Sequence, residues 1–262
     1  MGSLGAPRPR GFAIRGLITA IRFLTIVPVP GPAVEGPENL GRAAGWFPLI
    51  GLALGVVLTL VDRLLSLIFP PTVSALLVVL SWKLLTGGIH LDGLADSLDG
   101  LTGKNSAERL AIMRDSRIGV FGALGLILLL LLALVALAGL PSSLRAQALL
   151  LAPAVGRVMP LLLARTCEPA TPGRGSGAAF MERVTSRALV VGGVLVAVAS
   201  GVIRWPWGLV AAGSGLSVSW ALARFFSVKL GGLSGDGLGA GVEVAELGVL
   251  LAFASLHHLG LS

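Results

Sequence analysis

The 262-residue sequence has one cysteine, no tyrosine and three histidines. A lone Cys167 rules out an intrachain disulfide. His90, His257 and His258 are too few and too scattered for a zinc site of the usual spacing. Charge is also scarce. Charged residues make up 13% of the chain, about half the share of an ordinary soluble domain. Hydrophobic residues make up 55%. So little polar surface excludes a soluble globular domain. No stretch near the start combines a basic and apolar leader with a small-residue cleavage site, so no cleaved signal peptide is expected.

The formal net charge is +7. In a soluble protein that would suggest nucleic acid as a partner. No basic run interleaved with aromatics is present, and nucleic acid is not expected. Arginine-rich loops on one side of a membrane explain the charge instead.

A helix needs roughly 20 apolar residues to cross a bilayer. Seven stretches meet or approach this: 43–61, 66–89, 118–140, 146–164, 188–203, 205–223 and 245–261. The longest uncharged run, Ile118 to Leu144, is the surest. The fold class expected is all-α, a polytopic bundle of about seven spans. Residues 1–262 read as a single integral-membrane catalytic domain, with residues 1–10 a flexible N-terminus. Residues 11–28 hold Arg15 and Arg22 on one helix face, which suits a helix lying in the interface. With the N-terminus in the cytoplasm, fifteen of the 20 basic residues fall on the cytoplasmic side. Only Arg63, Arg145 and Arg204 fall outside, and Lys83 and Arg157 lie within spans.

Three polar segments share that side. In Gly87-Gly88-Ile89-His90-Leu91-Asp92-Gly93-Leu94-Ala95-Asp96-Ser97-Leu98-Asp99-Gly100, the aspartates stand at i, i+4 and i+7, on one helix face. Stacked carboxylates repel one another, and a divalent cation such as Mg²⁺ relieves the repulsion. Asp92, Asp96 and Asp99 are therefore candidate metal ligands, with adjoining His90 a candidate base. The second segment, Arg114-Asp115-Ser116-Arg117, precedes the surest span and has the make-up of a phosphate clamp. The third runs from Gly231 and Gly232 through Ser234, Gly235 and Asp236 to Glu243 and Glu246. It reads as a glycine loop that approaches a ligand closely, with its three acids as further candidate ligands. Arg157 interrupts an apolar span, and intramembrane charges are functional candidates. The blander readings are a solvated acidic helix, a snorkelling basic anchor, a flexible loop and a structural ion pair.

The first segment resembles the signature of the cobalamin synthase family, the adenosylcobinamide-GDP ribazoletransferases. So do Ile112-Met113-Arg114-Asp115-Ser116-Arg117-Ile118-Gly119, the segment from Gly231 to Glu246, Phe47-Pro48-Leu49-Ile50-Gly51 and Arg22-Phe23-Leu24-Thr25. Ser97 and Ser234 stand where the family commonly has Thr. Residues 166–187 match weakly apart from Gly175-Ser176-Gly177-Ala178-Ala179-Phe180. The resemblance implies an Mg²⁺-dependent phosphotransferase of the bacterial cytoplasmic membrane, its site facing the cytoplasm. Its substrates would be adenosylcobinamide-GDP and α-ribazole or α-ribazole 5′-phosphate, and its products adenosylcobalamin or its phosphate and GMP. A homo-oligomer, or an assembly with other late cobalamin enzymes, is left open. Two rivals are a CDP-alcohol phosphotransferase and a metal or proton transporter. The first has Arg after the Ala of its core, where Asp96 stands here. The second would place its acids at mid-span.

Overall fold

A computed structural model describes residues 10–31 and 36–261. Most of the expected flexible N-terminus lies outside the described residues. Among those described, all regular structure is helical, and the one β pairing is a bridge between Pro169 and Leu233. The order is α1 (Arg10–Leu24), α2 (Pro37–Ala43), a 3₁₀ turn (Ala44–Trp46), α3 (Phe47–Leu65), α4 (Pro71–Leu85), α5 (Ile89–Gly100), α6 (Ser106–Ile112), α7 (Val120–Ala138), α8 (Ser142–Thr166), α9 (Gly175–Arg183), α10 (Ser186–Ile203), α11 (Trp207–Leu230) and α12 (Gly235–His258).

Among the described residues, six helices are long and apolar enough to cross a membrane: Asn39–Leu65, which joins the end of α2 and the 3₁₀ turn to α3, and α7, α8, α10, α11 and α12. This is a polytopic helical membrane bundle. The second expected span, 66–89, is not continuous. It is the 15-residue α4, followed by a bend of 90° into α5. Asp62 near the end of α3 pairs with Arg145 near the start of α8, so both lie at one end of the bundle. The start of α7 lies at the opposite end, against Asp99. The chain must therefore cross back between α3 and α7, and α4 carries it. Helix α1 is not among the helices long and apolar enough to span.

The layering inverts a soluble core. Buried residues make up 83% of the most apolar window of α8, but only 28% for α7 and 17% for α10. Thus α8 is the central helix and α7, the surest span by sequence, is a peripheral one. Lipid-facing helices must be apolar all round, whereas a central helix has protein partners for its polar groups. Accordingly α8 tolerates Pro153, Pro160, Arg145 and Arg157. Helix α3 packs on it through Gly51 and Gly55, whose Cα atoms sit against the backbone of residues 149–154, a small-xxx-small contact.

Arg145, expected in water at the outer end, is buried. Its Nε lies 3.0 Å from Asp62 Oδ1, and Nη2 donates to the Ser66 hydroxyl at 2.8 Å.

Candidate active site

The site is assembled at the other end of the bundle. Helix α4 stops in a turn where Gly87 and Gly88 have φ of 64° and 69°. Only glycine adopts these values without strain. Gly87 N donates to Leu84 O and Gly88 N to Lys83 O, closing the carbonyls of the last turn. The chain leaves at 90° as α5, which therefore lies across the end of the bundle.

The three aspartates of α5 share a face but not an environment. Asp92 is exposed, Asp96 is half-buried and Asp99 is buried. Asp99 Oδ2 accepts from Gly119 N at 2.7 Å and Oδ1 from Gly122 N at 2.8 Å. Both its oxygens thus satisfy amides at the N-terminus of α7, where a carboxylate is favoured. A fourth carboxylate, Asp236, arrives in the first turn of α12. Asp96 lies within the field of Asp92, Asp236 and Asp99. What brings Asp236 close is Gly93: a Cβ there would stand 2.7 Å from the Asp236 carbonyl oxygen. The glycine that weakens α5 as a helix lets α12 cross it backbone to backbone.

Beside this crossing opens a cleft of about 190 Å³. At its polar end are His90, Asp92, Arg157, Asp236, Ser176 and Gly177. The other end is apolar. Two helix N-termini meet at the polar end, where α9 and α12 touch at Gly177 and Gly235. Free N–H groups and the macrodipole make such termini anion sites.

Glu243 and Glu246 lie deeper on α12, both buried. Lys83 Nζ is 2.5 Å from Glu243 Oε2 and 3.0 Å from Glu246 Oε2. The Arg157 guanidinium contacts Glu246 Oε1. The result is a neutral quartet of two cations and two anions inside the bundle. The structure thus places these glutamates on Lys83 and Arg157, not beside the aspartates. Arg157 Nε and Nη2 have no hydrogen-bond partner in the protein, although the side chain is 1% exposed and lines the cleft.

The second segment does not line the cleft. Arg114, Ser116 and Arg117 are exposed. Arg117 Nη2 donates to Asp115 Oδ2 at 2.6 Å, and this hydrogen bond holds the Asp115 carboxyl down at about 2. The third segment is shorter as a loop than the sequence suggests, because α12 begins at Gly235, ten residues before the expected span. Gly231 ends α11 with φ of 74°, and Gly232 packs on the backbone of Ala170. Neither lines the cleft. Ser234 caps α12 by accepting from Gly237 N at 3.0 Å. Gly235 and Asp236 do line the cleft.

Sequence reasoning noted Lys83 without giving it a partner. The signal was there, since a lone ammonium in an apolar span requires a buried counter-charge. Phe23, Phe47 and Phe180, which line the apolar end, stood in family-like stretches of the sequence, but nothing there gave them a role.

The donor set bears on a divalent cation. Among the described residues, no three His, Cys, Asp or Glu form a cage able to hold a metal. Mg²⁺ does not need one. It commonly takes one or two carboxylates and completes its shell with water and substrate phosphates. Asp92 and Asp236, which line a cleft that also holds anion-binding groups, fit that mode, with Asp96 close to both.

Comparison with known proteins decides the family. Residues 16–254, from α1 into α12, match the family described as cobalamin-5-phosphate synthase. The chain belongs to that family. Relatives named adenosylcobinamide-GDP ribazoletransferase cover almost the same length. The one from Pseudomonas aeruginosa is 42% identical over 92% of this chain and 98% of its own. That from Acetivibrio thermocellus is 35% identical over 92% of this chain and 97% of its own. No solved structure matches the chain. The family match spans every site residue named above, so the cleft and its carboxylates lie wholly within the part shared with the family.

Proposed function

We propose that this chain joins adenosylcobinamide-GDP to α-ribazole, or α-ribazole 5′-phosphate, in the last step of nucleotide-loop assembly of cobalamin. A ribose hydroxyl attacks the cobinamide-side phosphorus. One P–O bond forms, the P–O bond to the GMP moiety breaks, and GMP leaves. The observation that carries the reading is one cleft lined by Asp92, Asp236 and a buried Arg157 with unpartnered N–H groups. Family membership along nearly the whole chain supports it.

Such transfers rest on positioning and charge neutralisation. Asp92, Asp96 and Asp236 would hold Mg²⁺. The ion, when bound, neutralises charge on the diphosphate. Arg157 and the N-termini of α9 and α12 take phosphate oxygens. His90, the imidazole lining the cleft, accepts the proton of the attacking hydroxyl. The quartet keeps Arg157 in place. Residues Arg114 to Arg117 do not line the cleft, and they meet the parts of the substrates that stay outside it.

The basic asymmetry of the sequence supports a bacterial cytoplasmic membrane with the site facing the cytoplasm. The bend of α4 into α5 supports the same placement, since it gathers the acidic segments at the basic end.

Protein in liposomes, given both substrates and Mg²⁺, should release GMP and a cobalamin product. EDTA should stop the reaction, and Asp92→Asn should abolish it while membrane insertion stays intact. No product from folded protein would overturn the reading. Product formation that ignores EDTA and Asp92→Asn would remove the metal role alone.

A further inference from the structure

The polar half of the cleft accounts for a diphosphate, and the apolar half is unused by that chemistry. Phe23, Leu24, Leu40, Phe47 and Phe180 line it. Phe47 stacks on Phe23 at 5.9 Å and 21°, and on Phe180 at 5.8 Å and 17°. The three rings come from α1, α3 and α9, so distant parts of the chain build one aromatic wall. Among these five residues no side chain donates or accepts a hydrogen bond.

We infer that this apolar end is the seat of the ribazole base and sets the preference for a benzimidazole. The inference rests on the function proposed above. Three moieties of the two substrates compete for the place: a corrin ring, guanine and the ribazole base. Size removes the corrin, a macrocycle too large for a cleft of about 190 Å³. Chemistry removes guanine. Its edge carries an amide N–H, an amino group and two acceptors, none of which the wall can match. Each unmatched group weakens binding by about fivefold or more. Dimethylbenzimidazole has two methyl groups on a flat bicycle and one free ring nitrogen. It fills an apolar aromatic slot with little polar surface to desolvate. Seated there, it leaves the attached ribose at the polar end, beside His90 and Asp236, where the attacking hydroxyl is needed.

The test is steady-state kinetics on full-length protein in liposomes, with each substrate varied in turn. Phe23→Ala should raise KM for α-ribazole about tenfold, the scale of one lost base–aromatic stack. KM for adenosylcobinamide-GDP and kcat at saturation should stay within about twofold. Phe180→Leu gives the same split should Phe23→Ala fold poorly. In the wild type, free 5,6-dimethylbenzimidazole should inhibit competitively against α-ribazole, and guanosine should not. A rise in KM for adenosylcobinamide-GDP instead would place guanine in the slot and overturn the inference. So would two variants with both KM values unchanged. No turnover by the wild type would strike the proposed function, an outcome distinct from turnover with the wrong selectivity.

Discussion

Gly93 of α5 lies against the backbone of Asp236 of α12, with no room for a Cβ between them. This contact sets the spacing between the carboxylates of α5 and that of α12. Gly93→Val should therefore separate the helices and spoil the site. Misplacement of reacting groups by about 1 Å costs roughly 100-fold in rate. A loss of that order is expected, with Gly93→Ala intermediate and both proteins still inserted in the membrane. Full activity in Gly93→Val would show that the crossing does not position the carboxylates.

Lys83 and Glu243 test the quartet. Lys83→Met removes the ammonium between two buried glutamates and leaves an uncompensated charge inside the bundle. Breaking a buried pair in this way costs about 3–5 kcal/mol. Thermal unfolding in detergent should show a clear fall in Tm. The double variant Lys83→Met/Glu243→Gln should recover much of it, because no unpaired charge then remains beyond the Arg157–Glu246 contact. An unchanged Tm in the single variant would mean that the pair contributes nothing.

Asp99 and Asp92 should behave as opposites despite sharing a motif. Asp99→Asn turns one accepting oxygen into a donor facing an amide, at a loss of about 1–2 kcal/mol at the start of α7. Tm should fall, while the Mg²⁺ concentration for half-maximal activity stays the same. Asp92→Asn should leave Tm unchanged and abolish activity. A Mg²⁺ requirement shifted strongly by Asp99→Asn would return Asp99 to the metal.

The bundle, its spans and the face of three aspartates were legible in the sequence because all are local patterns. Apolar length and a helical period need no knowledge of distant contacts. The misplaced details are long-range. Glu243 and Glu246 look like ligands next to Asp236 in the chain, but their partner Lys83 is 160 and 163 residues away. Asp99 is matched by amides on another helix. The early start of α12 follows the same logic. Gly235, Gly237 and Gly239 read as a loop by propensity, and Gly239 is in fact at the crossing with α5, close to Gly93 and His90. Tertiary packing overrides glycine's low helix propensity there.

Helix α4 has 15 residues, about 22 Å of rise, against a hydrocarbon core of about 30 Å. Helices α8 and α12, at 25 and 24 residues, reach well beyond that thickness. A protein with so short a wall beside long ones presents lipids with a notch. Neighbouring bilayer must thin to meet it, at a fraction of a kcal/mol per Å of mismatch. That short wall ends at the turn of Gly87 and Gly88, from which α5 leaves at 90°. Turnover should then respond to acyl-chain length, with thin membranes easing water-soluble substrates down to the carboxylates and thick ones burying them.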